Sequence, residues 1–218
     1  MGWVLKGVVF GLGVCLLATA CGGEEEPEPE RVTAEQQCDD TLSPAAARAL
    51  ETVLSTRRFD DAPTGGLKRS TDELAADYPK SGGWTQRRSL CRASPSESSD
   101  EVTIDFRYYR DIHLPGGQHA ANLHPYGMGV EALSGPDKAY LFVRCASLQL
   151  QGSDKRPARI KGTLTYNKSK LPDTVPVREA TLTVLHSVTL AVVRKLGCEN
   201  DAGLTEKPVF KPRSEAGA

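Results

Sequence analysis

Cysteines stand at positions 15, 21, 38, 91, 145 and 198, and no two of them form a C-x-x-C pair. A zinc ribbon or a thioredoxin-type redox pair is therefore not encoded, and disulfide use becomes the question. The answer depends on the compartment, which the first segment addresses. Behind Lys6, fourteen uncharged and mostly apolar residues run from Gly7 to Ala20. In a helix they would span about 21 Å, short of the roughly 30 Å hydrocarbon core of a bilayer. The segment has the dimensions of a signal-peptide h-region, so residues 1–20 are expected to be a cleaved export signal. No later stretch approaches 18 apolar residues, and no spanning helix is expected beyond it.

The signal ends Ala18-Thr19-Ala20-Cys21-Gly22-Gly23. This resembles a bacterial lipobox, in which the cysteine is acylated and becomes the new amino terminus. It departs from the usual pattern at Ala18, where leucine is commonest. Ala18-Thr19-Ala20 is also an A-x-A site for ordinary signal peptidase, and both enzymes would cut before Cys21. Cysteine parity favours the lipid. With Cys15 removed and Cys21 acylated, Cys38, Cys91, Cys145 and Cys198 remain, an even set for an oxidising compartment. Four cysteines allow three connectivities. Cys91 and Cys145 lie near strand ends, while Cys38 opens the domain and Cys198 closes its last helix. The expected pairs are Cys38–Cys198 and Cys91–Cys145.

Glu24-Glu25-Glu26-Pro27-Glu28-Pro29-Glu30 follows, too charged to bury apolar surface and self-repelling. Residues 21–37 are read as a lipidated N-terminus and acidic Pro/Glu linker, long enough to hold a domain roughly 30 Å from the membrane. The formal charge of −1 is a sum over unlike parts. The linker holds five of the 28 acids and the leader one of the 27 bases, leaving the remainder about three positive. So small a charge gives no general pull toward nucleic acid.

Residues 38–200 are expected to form one globular domain, with 201–218 as a C-terminal tail. Ser43-Pro44 is a helix N-cap followed by proline at the first helical position, and the apolar spacing carries that helix to about Arg57. Ser70-Thr71-Asp72-Glu73 reads as a capping box starting a short second helix, stopped at Pro79. Trp84–Arg92, Val102–Arg110, Ala139–Leu150 and Arg159–Tyr166 read as strands. The second sets Val102, Ile104, Phe106 and Tyr108 on one face against Thr103, Asp105 and Arg107 on the other. Asp111–Asp137 reads as a large loop with a turn of helix around Gly127–Leu133. Pro176–Leu196 fits strand and helix alike, but its proline start and Arg194-Lys195-Leu196-Gly197 end indicate a helix. The fold class is α+β: an antiparallel sheet of about four strands with N-terminal and C-terminal helices, stapled by disulfides.

Chemistry-bearing motifs are few. His113, His119 and His124, with Asp111, are the metal-ligating candidates, yet their spacing fits no standard signature. His186 reads as a hydrogen-bonded histidine at the core edge. No nucleophile elbow, zincin, P-loop or dinucleotide motif occurs, no catalytic residue is assigned and no cofactor is implied. Asp39-Asp40 and Asp60-Asp61 sit in turn-like contexts and read as solvated. Lys155, Arg156, Arg159, Lys161, Lys168 and Lys170 form a basic stretch, read as the outward charges of a hairpin rather than as a polyanion site.

Taken with the acidic linker, the Ser-Pro-Ala-Ala-Ala-Arg-Ala-Leu helix and Arg194-Lys195-Leu196-Gly197-Cys198-Glu199-Asn200, the lipobox-like segment resembles those of small secreted actinobacterial lipoproteins. The resemblance implies an address on the outer face of the cell membrane and a disulfide framework, and no reaction. The expected function is a membrane-tethered, non-enzymatic domain binding a protein or cell-envelope polymer. The alternatives are a small-molecule or metal binder using the Asp111–Asp137 loop, and a hydrolase with an unrecognised site.

Overall fold

The computed structural model describes residues 32–61, 63–78, 86–110, 122–167 and 171–211. Three α-helices, α1 (Pro44–Leu54), α2 (Gly66–Asp77) and α3 (Val175–Lys195), pack on one side of an antiparallel sheet. Its strands are β1 (Arg88–Ala93), β2 (Glu101–Tyr108), β3 (His124–Tyr126), β4 (Glu131–Ser134), β5 (Lys138–Cys145) and β6 (Ala158–Asn167). They lie in the order β1-β2-β6-β5-β4-β3. The α+β class holds. The sheet has six strands rather than four, because β3 and β4 occupy the stretch read as loop and helical turn.

Those two strands are three and four residues long, too short to display a period. Pro125 sits in β3 at the sheet's edge, where a missing N–H costs no ladder bond. Beyond β3 the C-terminal segment takes over, and Gly127 N donates to Lys211 O at 2.8 Å. Packing thus continues on both sides of 38–200: Ala34 and Leu204 are buried.

The helix starting at Ser43 forms as its cap dictates, with Ser43 Oγ accepting from Ala46 N at 3.2 Å, and ends at Leu54, where Ser55 turns left-handed. The long C-terminal segment is a helix, buried from Thr181 to Leu190 except at Thr183. Its many threonines are compatible with that state because their hydroxyls bond back into the helix: Thr183 to Glu179 O at 2.7 Å and Thr189 to Leu185 O at 2.7 Å. Ser134 of β4 and Thr181 of α3 share a buried hydroxyl pair at 2.8 Å.

The second helix begins at Gly66, ahead of the expected capping box. Ser70 lies inside the helix, buried, and donates to Ser89 O of β1 at 2.8 Å. The helix comes so close to β1 that a Cβ on Gly66 would stand 2.0 Å from Leu90 O.

Cys38 bonds to Cys91, and Cys145 to Cys198, each across 53 residues. All four cysteines are bridged, but the expected pairing is wrong. The chain before α1 crosses to β1, and the end of α3 returns beside the end of β5. Proximity in the fold, not similarity of setting along the chain, decides the partners. Two disulfides are in keeping with an oxidising, extracytoplasmic setting. Among the described residues no helix is long and apolar enough to cross a membrane.

Candidate functional site

The antiparallel register sorts side chains onto two faces. Ile104, Phe106, Gly162, Leu164, Leu141 and Val143 face the helices, and Gly162 leaves room for Leu185 and Thr189 of α3. The opposite face carries cross-strand rows. One row runs Arg107, Lys161, Phe142 and Glu131 across β2, β6, β5 and β4. The adjacent row runs Asp105, Thr163, Tyr140, Leu133 and Pro125.

On this face a second apolar cluster, buried and separate from the main core, forms from Tyr109, Leu133 and Phe142, flanked by the partly buried Leu123, Val130 and Tyr140. Tyr109 meets Phe142 edge-on, ring centroids 5.1 Å apart. Lys161 Nζ stands 4.9 Å from the Tyr140 ring centroid and 5.9 Å from that of Phe142, in cation–π geometry.

Burial, with Arg107 adding to it, pulls the Lys161 amine down to about 8, while Asp105 acts in the opposite direction. About one such amine in ten is neutral at pH 7, a far larger share than for an ordinary lysine. Burial also pushes the Asp105 carboxyl above its usual range, against the pull of Arg87, Arg107 and Lys161. Asp105 is 9% exposed, and its Oδ1 has no hydrogen-bond partner. The face thus sets a partly desolvated amine, a buried carboxylate with one oxygen lacking a donor, guanidinium groups and aromatic rings side by side.

Of the residues singled out as metal ligands, His124 alone falls among the described residues. Asp111, His113 and His119 lie outside the described residues, as does Cys21. His124 stands in β3, where its Nε2 meets Asp173 Oδ2 at 3.2 Å, and Asp173 also pairs with Arg178. Among the described residues no group of three or more His, Cys, Asp or Glu side chains could hold a metal ion. His186 is buried in α3, tied to the backbone at Thr205, with its pKa lowered by burial. Asp39 is no solvated acid: it caps α2, accepting from Gly65 N and Leu67 N.

Of the basic stretch, Arg159 and Lys161 lie on the outer face, and Lys155 and Arg156 lie in the turn before β6, where Arg156 O accepts from Tyr78 OH at 2.5 Å. Lys168 and Lys170 lie outside the described residues. The Asp105–Tyr140–Lys161 grouping was missed because its members come from three strands. Its one sequence trace is the alternation that sets Thr103, Asp105 and Arg107 opposite an apolar face. The chain matches no family model, no curated protein and no solved structure, so function is argued from the site itself.

Proposed function

We propose that the chain is an exported, lipid-tethered binding module that presents the outer face of its sheet to a protein or cell-envelope ligand. The observation that carries the reading is the half-buried set of Arg107, Lys161 and Tyr140 on the sheet face turned away from α3, with Lys161 over the Tyr140 ring above a buried cluster of Tyr109, Leu133 and Phe142. Aromatic and arginine side chains held by a rigid sheet suit recognition by contact and charge. The lipobox-like Ala18-Thr19-Ala20-Cys21 and the acidic linker support tethering at a distance from the membrane. The alternative metal reading has less support, since His124 is engaged with Asp173.

Two measurements test the proposal. Cys21→Ala should move the protein from the membrane fraction to the medium, and unchanged fractionation would refute the tether. Purified wild-type domain should co-sediment with isolated envelopes of the producing cell. Arg107→Glu combined with Lys161→Glu should abolish this, whereas Arg48→Glu with Lys68→Glu, on the helical side, should not. Equal behaviour of the two pairs would overturn the assignment of the face.

A further inference from the structure

Two pairs of cations stand directly opposite one another on the outer face: Arg107 of β2 against Lys161 of β6, and Arg144 of β5 against Arg159 of β6. Cross-strand partners share a face, and like charges so placed destabilise a sheet. Charges that ward off edge pairing belong on outer strands, whereas β2, β6 and β5 are interior. All four side chains reach solvent, Arg144 being exposed and the others half-buried. The acids of the same face do not answer them at the surface. Asp105 and Glu131 are buried, and Glu101, at the far end of β2, pairs with Arg92 at 3.2 Å. Lys161 stands over the Tyr140 ring, a contact that favours the charged amine. Along β6, Arg159 and Lys161 are two residues apart, so cations recur on this face at about 7 Å.

We propose that Arg107, Lys161, Arg159 and Arg144 form a track for a linear phosphodiester polymer that carries no bases. This names the ligand class of the face whose binding role is proposed above, and it rests on that reading. A phosphate seated between two opposed cations cancels the repulsion within the pair. Guanidinium groups donate two parallel N–H bonds to one phosphate, which suits the three arginines, while the ammonium serves as a point charge. An extended chain of phosphates joined through short carbon bridges repeats its charge at about the spacing of Arg159 and Lys161. Such a polymer follows a charged surface and requires no pocket. A single-stranded nucleic acid would also require rings that stack its bases. Here Tyr140 lies under Lys161 and Phe142 is buried, so the nearest rings present no open face to a base.

The probe is a fluorescent oligomer of abasic deoxyribose phosphodiesters, with its uncharged methylphosphonate counterpart as control. Fluorescence anisotropy with the purified, disulfide-intact protein should show binding of the charged oligomer and none of the control. With all four cations engaged, log affinity should fall against log salt with a slope of about −2.8, or about 50-fold from 50 to 200 mM. Arg144→Gln and Arg159→Gln should each flatten that slope by about 0.7. Arg144→Lys, which keeps the charge, should keep the slope, as should Arg48→Gln on α1. A slope that Arg144→Gln and Arg159→Gln leave unchanged would overturn the site. Polyglutamate binding as tightly, or a thymidine oligomer of equal length binding more tightly, would overturn the polymer class. If the oligomer does not bind while envelope co-sedimentation still depends on Arg107 and Lys161, this inference falls and the binding role of the face stands. Loss of both would remove the face as well.

Discussion

The carboxylate of Asp39 accepts the backbone N–H of Leu67, Oδ2 to N at 2.6 Å, and so caps a helix that begins 27 residues further along the chain. Its other oxygen takes Gly65 N at 2.8 Å. The cap is delivered by a left-handed run, Cys38-Asp39-Asp40, whose first residue is tied to β1 through Cys91. One short turn thus joins a disulfide, a helix terminus and a strand.

Asp39→Ala should destabilise the domain by about 1–2 kcal/mol, the usual cost of losing a helix N-cap. Asp39→Asn, which keeps an acceptor but not the charge, should cost less. Urea unfolding of the three proteins checks the order, and equal midpoints for Asp39→Ala and wild type would refute the cap's role.

Peptide mapping without reduction should yield Cys38–Cys91 and Cys145–Cys198 linked peptides and no others. Each bridge closes a loop of 53 residues, which the chain-entropy model values at about 4 kcal/mol. The double substitution Cys145→Ala/Cys198→Ala should lower the unfolding free energy by an amount of that order.

Gly66 owes its identity to close approach, since the atom a Cβ would strike is the backbone oxygen of Leu90, which no rotamer change can move. Gly66→Ala should cost on the order of 1–3 kcal/mol by overpacking. At Gly127 a Cβ would find only ordinary contacts, the nearest at 3.6 Å. Gly127→Ala should stay within about 1 kcal/mol of wild type, near the centre of the range for point changes. Thermal unfolding of the pair separates the two cases.

Lys161 gives the stability a definite pH dependence. Its folded amine releases a proton near 8, below the ordinary 10.5, so between those values the unfolded chain binds more protons. Stability from this group therefore rises with pH across that window. Below pH 8 the charged amine opposes folding by something on the order of 1 kcal/mol after solvent screening. Lys161→Met should be more stable than wild type at pH 7, with the difference shrinking toward pH 10.5. A gap that is constant with pH would contradict the desolvated placement of the amine.

Sequence alone determined the elements whose signals are local. Ser43-Pro44 marks the start of α1, the alternation of Val102 to Tyr108 marks β2 and its two faces, and the proline start and Gly197 end mark α3 despite its threonines. The even set of four cysteines indicated two bridges. These features follow from neighbours in the chain, where capping, period and parity operate. The tertiary structure decided everything that joins distant segments. It set Cys91 against Cys38, brought Asp39 to the head of α2 and turned Pro125 and Glu131 into edge and inner strands. It also placed Lys161, Asp105 and Tyr140 side by side. Register is the physical reason: cross-strand neighbours are fixed by how hydrogen-bonded ladders align over the buried face, and no spacing along the chain records that alignment.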